Sequence, residues 1–337
     1  MELDFALISV AVIAFCLIMY VLLDGFDLGV GILFPFAGNE ETRDSMINSI
    51  APVWDGNETW LIMGGAVLFA GFPQAYAIVL SAFYLPIMLM LFSLIFRGVA
   101  FEFRMKANES KFLWTAVFFA ASFMAAFSQG LLLAGLITGV HVENGEFAGG
   151  TFDWVSPFAL IVGFGMVCGY GLLGATWLVR KTEYDLLVMS FRASMVFMIA
   201  ILIFMAIVSM YTPRLVPQIA ERWFSGDNMF YLLPAPIVGL LCAWRLWHDL
   251  RAKREDSPFF WAIGLFLSGY LGLAASFWPY IIPFELTIWD TSSPASSQLF
   301  LLIPIAFILP ITLLYSWYSY RVFRGKVSDV SGYSSHK

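Results

Sequence analysis

The sequence predicts an all-α integral membrane protein of about nine transmembrane helices. Three observations carry that expectation. The 337 residues are 60% hydrophobic and only 12% charged, where soluble domains carry about 25% charged residues. Mean hydropathy is +0.81. The apolar residues gather into runs long enough to cross a bilayer, which takes roughly 20 residues each. These runs cover 5–34, 50–72, 75–97, 112–139, 155–179, 191–211, 229–247, 259–280 and 299–320. The single polytopic membrane domain is expected to occupy 1–337.

The elements follow in order. The opening, MELDFALISV, has no basic stretch ahead of its apolar run, so the first run is expected to be retained as a helix and not cleaved as a signal peptide. That run is long for one span. It is read as ending near Gly25, with 26–36 as a half-buried extension. The second and third runs are separated only by 71–74, which reads as a tight hairpin. Pro52 and Pro258 suit first helical turns.

Nine spans place the termini on opposite sides, and the positive-inside rule selects which side is which. With the C-terminus inside, the inner loops collect Arg43, Arg97, Arg104, Lys106, Lys111, Arg180, Lys181 and Arg192. They also collect the basic residues of 245–254 and 321–337. Of 18 Lys and Arg, only Arg214 and Arg222 fall outside. The expected orientation is therefore N-terminus outside and C-terminus cytoplasmic.

Four acids stand out against this apolar background. Asp24 and Asp27 lie in the first run; Asp55 and Glu58 lie at the start of the second. An acid at membrane depth costs about 2.5–3.5 kcal/mol on insertion scales and marks a functional site by default. Each pair is spaced i,i+3 and so shares one helix face. The orientation puts all four towards the cytoplasmic side, as a path for protons would require. Helix capping, or pairing with Arg43 or Arg97, is the competing explanation, since acids in a first turn also suit the helix dipole. On this placement Asp24 lies nearer bulk water than Asp55 and Glu58.

Other residue types exclude more than they suggest. Gly25, Gly29 and Gly31 lack the strand and βαβ unit that a nucleotide loop needs. Gly25–Gly29 and Gly165–Gly169 have the small-xxx-small spacing of close helix packing. The first, second and fifth spans are therefore expected at a partner interface. Three cysteines, Cys16, Cys168 and Cys242, lie far apart with no CxxC, so neither disulfides nor a metal site is indicated. His141, His248 and His336 cannot pair across one haem, so no haem ligand and no metal ligand is expected in this chain. The net charge of -6 gives no sign of nucleic-acid binding. Trp154, Trp223, Trp289 and Tyr280 outside, with Trp177, Trp247, Trp317 and Tyr320 inside, read as interfacial aromatic belts.

Two long motifs carry a family resemblance: DGFDLGVG at 24–31 and INSIAPVWDGNETWLI at 47–62. FR at 96–97, FEFR at 101–104, LTIWD at 286–290 and SSQ at 296–298 accompany them. With these, nearly the whole chain resembles subunit II of the cytochrome bd-type quinol oxidases. The segment WDTSSPASSQ at 289–298 is three residues longer than in many members, and the link between spans six and seven is compact. Both features resemble the cyanide-insensitive branch.

The resemblance implies two four-helix bundles plus a peripheral helix, here about 5–139, about 155–280 and 299–322. It implies a non-haem subunit II of a terminal quinol:O2 oxidoreductase, with no self-contained active site in this chain. Haem b, and haem d or a b-type substitute, would sit in a haem-bearing subunit I, with quinol as substrate. A small single-helix accessory subunit, membrane lipid and quinone are the further partners implied. The bacterial cytoplasmic membrane is the implied location. Protons for water would come from the cytoplasm, through a path that maps onto Asp55 and Asp24. Glu58 and Asp27 extend that path, and Trp54, Asn57 and Arg97 support it. The alternative of another class is a proton-coupled secondary transporter using the same acids, although no inverted repeat is visible.

Overall fold

The computed structural model describes residues 4–226 and 228–327. His336 and Lys337 lie outside them. Asp4 starts α1 (Phe5–Leu33) by accepting the Leu7 N–H at 3.0 Å, the N-cap bond that satisfies one orphan donor. A single 3-10 turn, Phe34–Phe36, ends it. The amphipathic α2 (Glu40–Ile50) is capped by Asn39 and carries Glu40 and Glu41 in its first turn. Then come α3 (Trp54–Gly71), α4 (Pro73–Ala82), α5 (Tyr84–Lys106) and α6 (Lys111–Thr138). A short hairpin, β1 (Val142–Glu143) with β2 (Glu146–Phe147), leads to α7 (Pro157–Lys181), α8 (Tyr184–Leu215), α9 (Pro217–Phe224) and α10 (Asn228–Leu232). The chain continues through α11 (Pro234–Arg251), α12 (Pro258–Phe277), β3 (Tyr280–Ile282), β4 (Leu286–Thr287), α13 (Ile288–Thr291) and α14 (Ala295–Val322).

Among the described residues eight helical stretches are long and apolar enough to cross a membrane, one of them α10 and α11 taken together. A ninth crossing, α3, qualifies only together with α4, because of the acids in its first turns. Contacts between connections sort them onto two faces. On the first face Trp289 donates to Asp4 at 2.8 Å, Ser293 donates to the Gly71 carbonyl, and Trp223 donates to Ser276. On the opposite face Trp177 donates to the Ser49 carbonyl, Ser319 to the Pro52 carbonyl, and Lys326 to the Thr182 carbonyl.

α1 and α7 form the spine. α1 packs on α3, α6 and α7, and α7 packs on α8 and α6 as well. Their closest approach is at Gly29 and Gly174. A Cβ on Gly29 would overlap the Tyr170 carbonyl oxygen and lie 2.7 Å from the Gly174 nitrogen. α7 is the most enclosed spanning helix, and α8 and α14 are the most outward-facing.

Several expectations change. α1 does not end near Gly25; it stays helical to Leu33, because every residue from Asp24 to Leu33 is buried against neighbouring helices. The 71–74 link is not a hairpin between two spans. Phe72 breaks the helix, Pro73 starts α4, and α4 turns away by 119° to bury Ala75, Ile78 and Ala82 on the first face. The third span is therefore Tyr84–Lys106, and Arg97 lies inside it and not in a loop. The glycines of the first and fifth spans serve packing within the chain: Gly25 faces Tyr170, Gly165 faces Phe204 and Gly169 faces Phe266. They are not free to meet a partner. Trp177 is no belt residue either. It is buried and stacks on Phe26 with ring centroids 4.3 Å apart.

Candidate functional site

Three of the most buried charged residues, Asp24, Asp27 and Arg97, converge between α1, α3, α5 and α14. Asp24 lies nine residues before the end of α1, about 13 Å along the helix axis at 1.5 Å per residue. It is fully buried, and Arg97 Nη1 donates to its Oδ1 at 2.8 Å. The second guanidinium nitrogen of Arg97 donates to Glu58. Arg97 is itself 1% exposed, Asp24 0% and Glu58 25%. One cation thus links α5 to both α1 and α3. Below it, Trp54 offers its ring face to the guanidinium carbon at 5.5 Å and packs on Phe101. That ring face is a weak additional counter-charge for a cation.

Asp27, one turn further along α1, faces a different partner. Asn57 Nδ2 donates to Asp27 Oδ2 at 2.7 Å and to the Leu23 carbonyl at 3.3 Å. Tyr320 of α14 donates its hydroxyl to Asn57 Oδ1 at 2.9 Å. On the other side of Asp24, Tyr170 of α7 donates to Gln129 Oε1 at 2.5 Å, and Gln129 of α6 donates to the Tyr20 hydroxyl at 3.0 Å. Tyr20 precedes Asp24 by one turn on the same face. Asp24 Oδ2, Asp27 Oδ1 and Arg97 Nε are buried without a hydrogen-bond partner among the described residues.

The structure thus brings together Asp24, Asp27, Glu58, Asn57, Arg97 and Trp54. Asp55 stands apart. It is in the first turn of α3 and exposed, on the flank that carries Thr59 and Ile62. The order of depth expected from sequence is reversed: Asp24 is deep and ion-paired, whereas Asp55 is at the surface of the chain. The cause is the length of α1, whose last turns are enclosed by α3, α6 and α7. Tyr320, Tyr20, Gln129 and Tyr170 lie beside the same acids; Tyr320 was read from sequence only as an interfacial anchor, and the other three were not singled out. Gln129 had a legible signal, being a lone amide in a long apolar run. Tyr320 did not, because a tyrosine near a span end reads as an interfacial anchor.

Three carboxylates surround one guanidinium. If all were ionised the cluster would hold two uncompensated negative charges in a low-dielectric interior, which is costly. Protons are the counter-charges at hand. The cluster thus holds more carboxylates than cations in a place closed to water.

Residues 5–323 match the family model described as cytochrome bd terminal oxidase subunit II. The chain belongs to that family. The cytochrome bd-I ubiquinol oxidase subunit 2 of Escherichia coli K12 is 29% identical, over 93% of this chain and 92% of that protein. The cytochrome bd ubiquinol oxidase subunit 2 of Bacillus subtilis is 29% identical, over 97% and 96%. Among solved structures, a chain of the bd oxidase from Geobacillus thermodenitrificans shares the fold, with a TM-score of 0.80 at 16% identity, covering 95% of this chain and 99% of that one.

A cytochrome bd subunit II is part of a haem-containing, multisubunit oxidoreductase of the bacterial cytoplasmic membrane. His141 lies after α6 on the first face, beside Glu143 at 3.1 Å, and His248 lies near the end of α11 towards the opposite face, beside Asp249 at 3.3 Å. Both are more than half exposed. Among the described residues no cluster of three or more His, Cys, Asp or Glu side chains is placed to hold a metal ion.

Proposed function

We propose that this chain is the non-haem subunit of a quinol:dioxygen oxidoreductase, and that it supplies protons for the reduction of dioxygen to water. The observation that carries this is the sharing of one buried guanidinium by Asp24 and Glu58, with Asp27 one turn away. Asp55 would be the entry, on the opposite face, and Glu58 the next station, one turn deeper. Glu58 is partly exposed on the α3 flank and touches the interior cation, so it can hand a proton in either direction. The opposite face also carries nearly all the Lys and Arg, which supports the cytoplasm on that side and the N-terminus outside.

A haem-bearing subunit I would cover the α3 flank. Asp55, Ile62 at 71% exposure and Phe69 at 59% line that flank, and an uncovered acid there would face lipid. Haem b, and haem d or a b-type substitute, would belong to that partner, with quinol as the reductant and a small single-helix subunit as a further component. The packing of α1 on α3 and α6 and of α5 on α6, of α7 on α8 and α12 and of α11 on α12 and α8, with α14 outside against α3 and α1, supports two bundles and a peripheral helix. No observation favours a transporter.

The test is turnover of the assembled oxidase carrying Asp55→Asn or Glu58→Gln. Each keeps shape and removes titration. Proton-transfer groups typically contribute 10²-fold or more, so a loss of at least about tenfold is expected, with haem content unchanged. Normal turnover in both variants would overturn the proton-path assignment; loss of haem in both would make the acids structural.

A further inference from the structure

α11 turns one continuous stripe outward. Ile237, Leu240, Leu241, Trp244, Trp247 and Arg251 recur at the three- and four-residue spacing of a single helix face, and all six are exposed. The helix packs on α12 and, less, on α8, which leaves this stripe uncovered by the chain. Towards the opposite face the stripe passes from aliphatic side chains to indoles and then to a guanidinium. From Ile237 to Arg251 it runs about 21 Å at 1.5 Å per residue, which matches one leaflet with its headgroups, about 20–22 Å. Acyl chains, interface and headgroups follow one another in that same order.

The polar end of the stripe is built on a buried carboxylate. Asp249, fully buried, accepts from Ser257 at 2.6 Å and from the Trp261 indole N–H at 3.0 Å. That bond fixes the Trp261 ring, and Arg245 lies over it with its guanidinium carbon 5.3 Å from the ring centre; Trp244 is at 5.8 Å. Arg251 lies over Trp247 at 4.8 Å. A guanidinium that rests its face on an indole keeps its in-plane N–H groups free for a phosphate. Of the nearby acids, Asp249 is paired with Arg254 and Glu255 with Lys326. Among the described residues Arg245, Arg251 and Lys253 have no carboxylate partner, and they outnumber Asp256, the one acid of 244–257 left unpaired.

We propose that the end of α11 and the start of α12 form a binding site for an anionic phospholipid. Arg245 and Arg251 take its phosphate, Trp244 and Trp247 lie at its glycerol, and its acyl chains run along Ile237, Leu240 and Leu241. The excess of cations selects a headgroup of net negative charge over a zwitterionic one, since each cation near a membrane surface favours anionic lipid about fivefold. The layered order of the stripe favours lipid over a protein partner, which would not require it. The site belongs to the second bundle and stands apart from the acid cluster, so it holds whether or not those acids carry protons.

Native mass spectrometry of the intact, delipidated oxidase complex tests this, with phosphatidylglycerol and phosphatidylcholine titrated separately. The wild-type complex should retain phosphatidylglycerol in preference. Arg245→Gln with Arg251→Gln should weaken that retention at least about tenfold, from about fivefold per cation. Arg192→Gln with Arg321→Gln removes two exposed or ring-stacked cations of the same face away from α11 and should leave it unchanged. No preference in the wild type, full retention in the α11 variant, or an equal loss in the control pair would each overturn the site. If the α11 double variant fails to assemble, Arg251→Gln alone carries the test: about fivefold weaker retention is expected, and none would overturn the proposal. A crosslink from Trp247→Cys to another subunit would also overturn it, by placing protein where the lipid is assigned.

Discussion

Breaking the Arg97–Asp24 pair should destabilise the protein more than any other single charge change, and removing both partners should recover much of the loss. The pair joins α5 to α1 at 2.8 Å with both side chains out of water. Deleting one partner of such a pair costs about 3–5 kcal/mol, mostly from the charge left behind. Arg97→Gln leaves Asp24, Asp27 and Glu58 with no cation. Asp24→Asn leaves Arg97 still bonded to Glu58, so its cost should be the smaller, nearer the 1–3 kcal/mol of a disturbed buried hydrogen bond. In domains of 150–250 residues about 1 kcal/mol shifts the midpoint by 2–4 °C, so Arg97→Gln should lower it by the order of 10 °C. The double variant should lose less than Arg97→Gln alone, a coupling of about 2 kcal/mol or more in a double-mutant cycle. The assay is the thermal midpoint of the purified complex, followed by haem absorbance at a fixed scan rate. A double variant that loses the sum of the two single losses would refute the idea that charge balance holds these helices together.

Two further outcomes follow from packing and from capping. Gly29→Ala places a methyl against the backbone of α7, where neither the Tyr170 carbonyl nor Gly174 can rotate away. Helix propensity would favour Ala by about 1 kcal/mol, yet overpacking costs typically 1–3 kcal/mol and more against backbone; a net fall in thermal midpoint is expected, and a rise would refute the close approach. At the first face, the Trp289 indole N–H and then the Leu7 N–H hold the Asp4 carboxyl below the usual carboxylate range. A depressed folded value means the cap's stabilisation is present above the unfolded value of about 3.9 and is lost as pH falls through the folded value. Trp289 fluorescence should therefore be flat from neutral pH down to about pH 4 and change only below it, whereas a transition near pH 6 would show that Asp4 is not its partner.

Apolar run length and charge placement together determined the membrane class, the number of crossings and the side on which the basic residues collect. These are local properties, because a bilayer demands about 20 apolar residues whatever the helix packs against. The acids at 24, 27, 55 and 58 were legible for the same reason: charge in an apolar run is costly wherever it sits. What tertiary structure decided is where each acid lies relative to water and to Arg97. Depth along a helix depends on where that helix ends, and α1 continued past Gly25 only because α3, α6 and α7 enclose its last turns. Arg97 moved from a loop to the interior because Pro73 and Phe72 turned ten residues aside into α4, a bend that hydropathy does not register. Gly29 and Gly174, 145 residues apart in sequence, face each other only across the folded α1–α7 contact. Tyr320 reached Asn57, the partner of Asp27, in the same way, since a side chain near the end of the last helix acquires its role from whichever helix it is packed against.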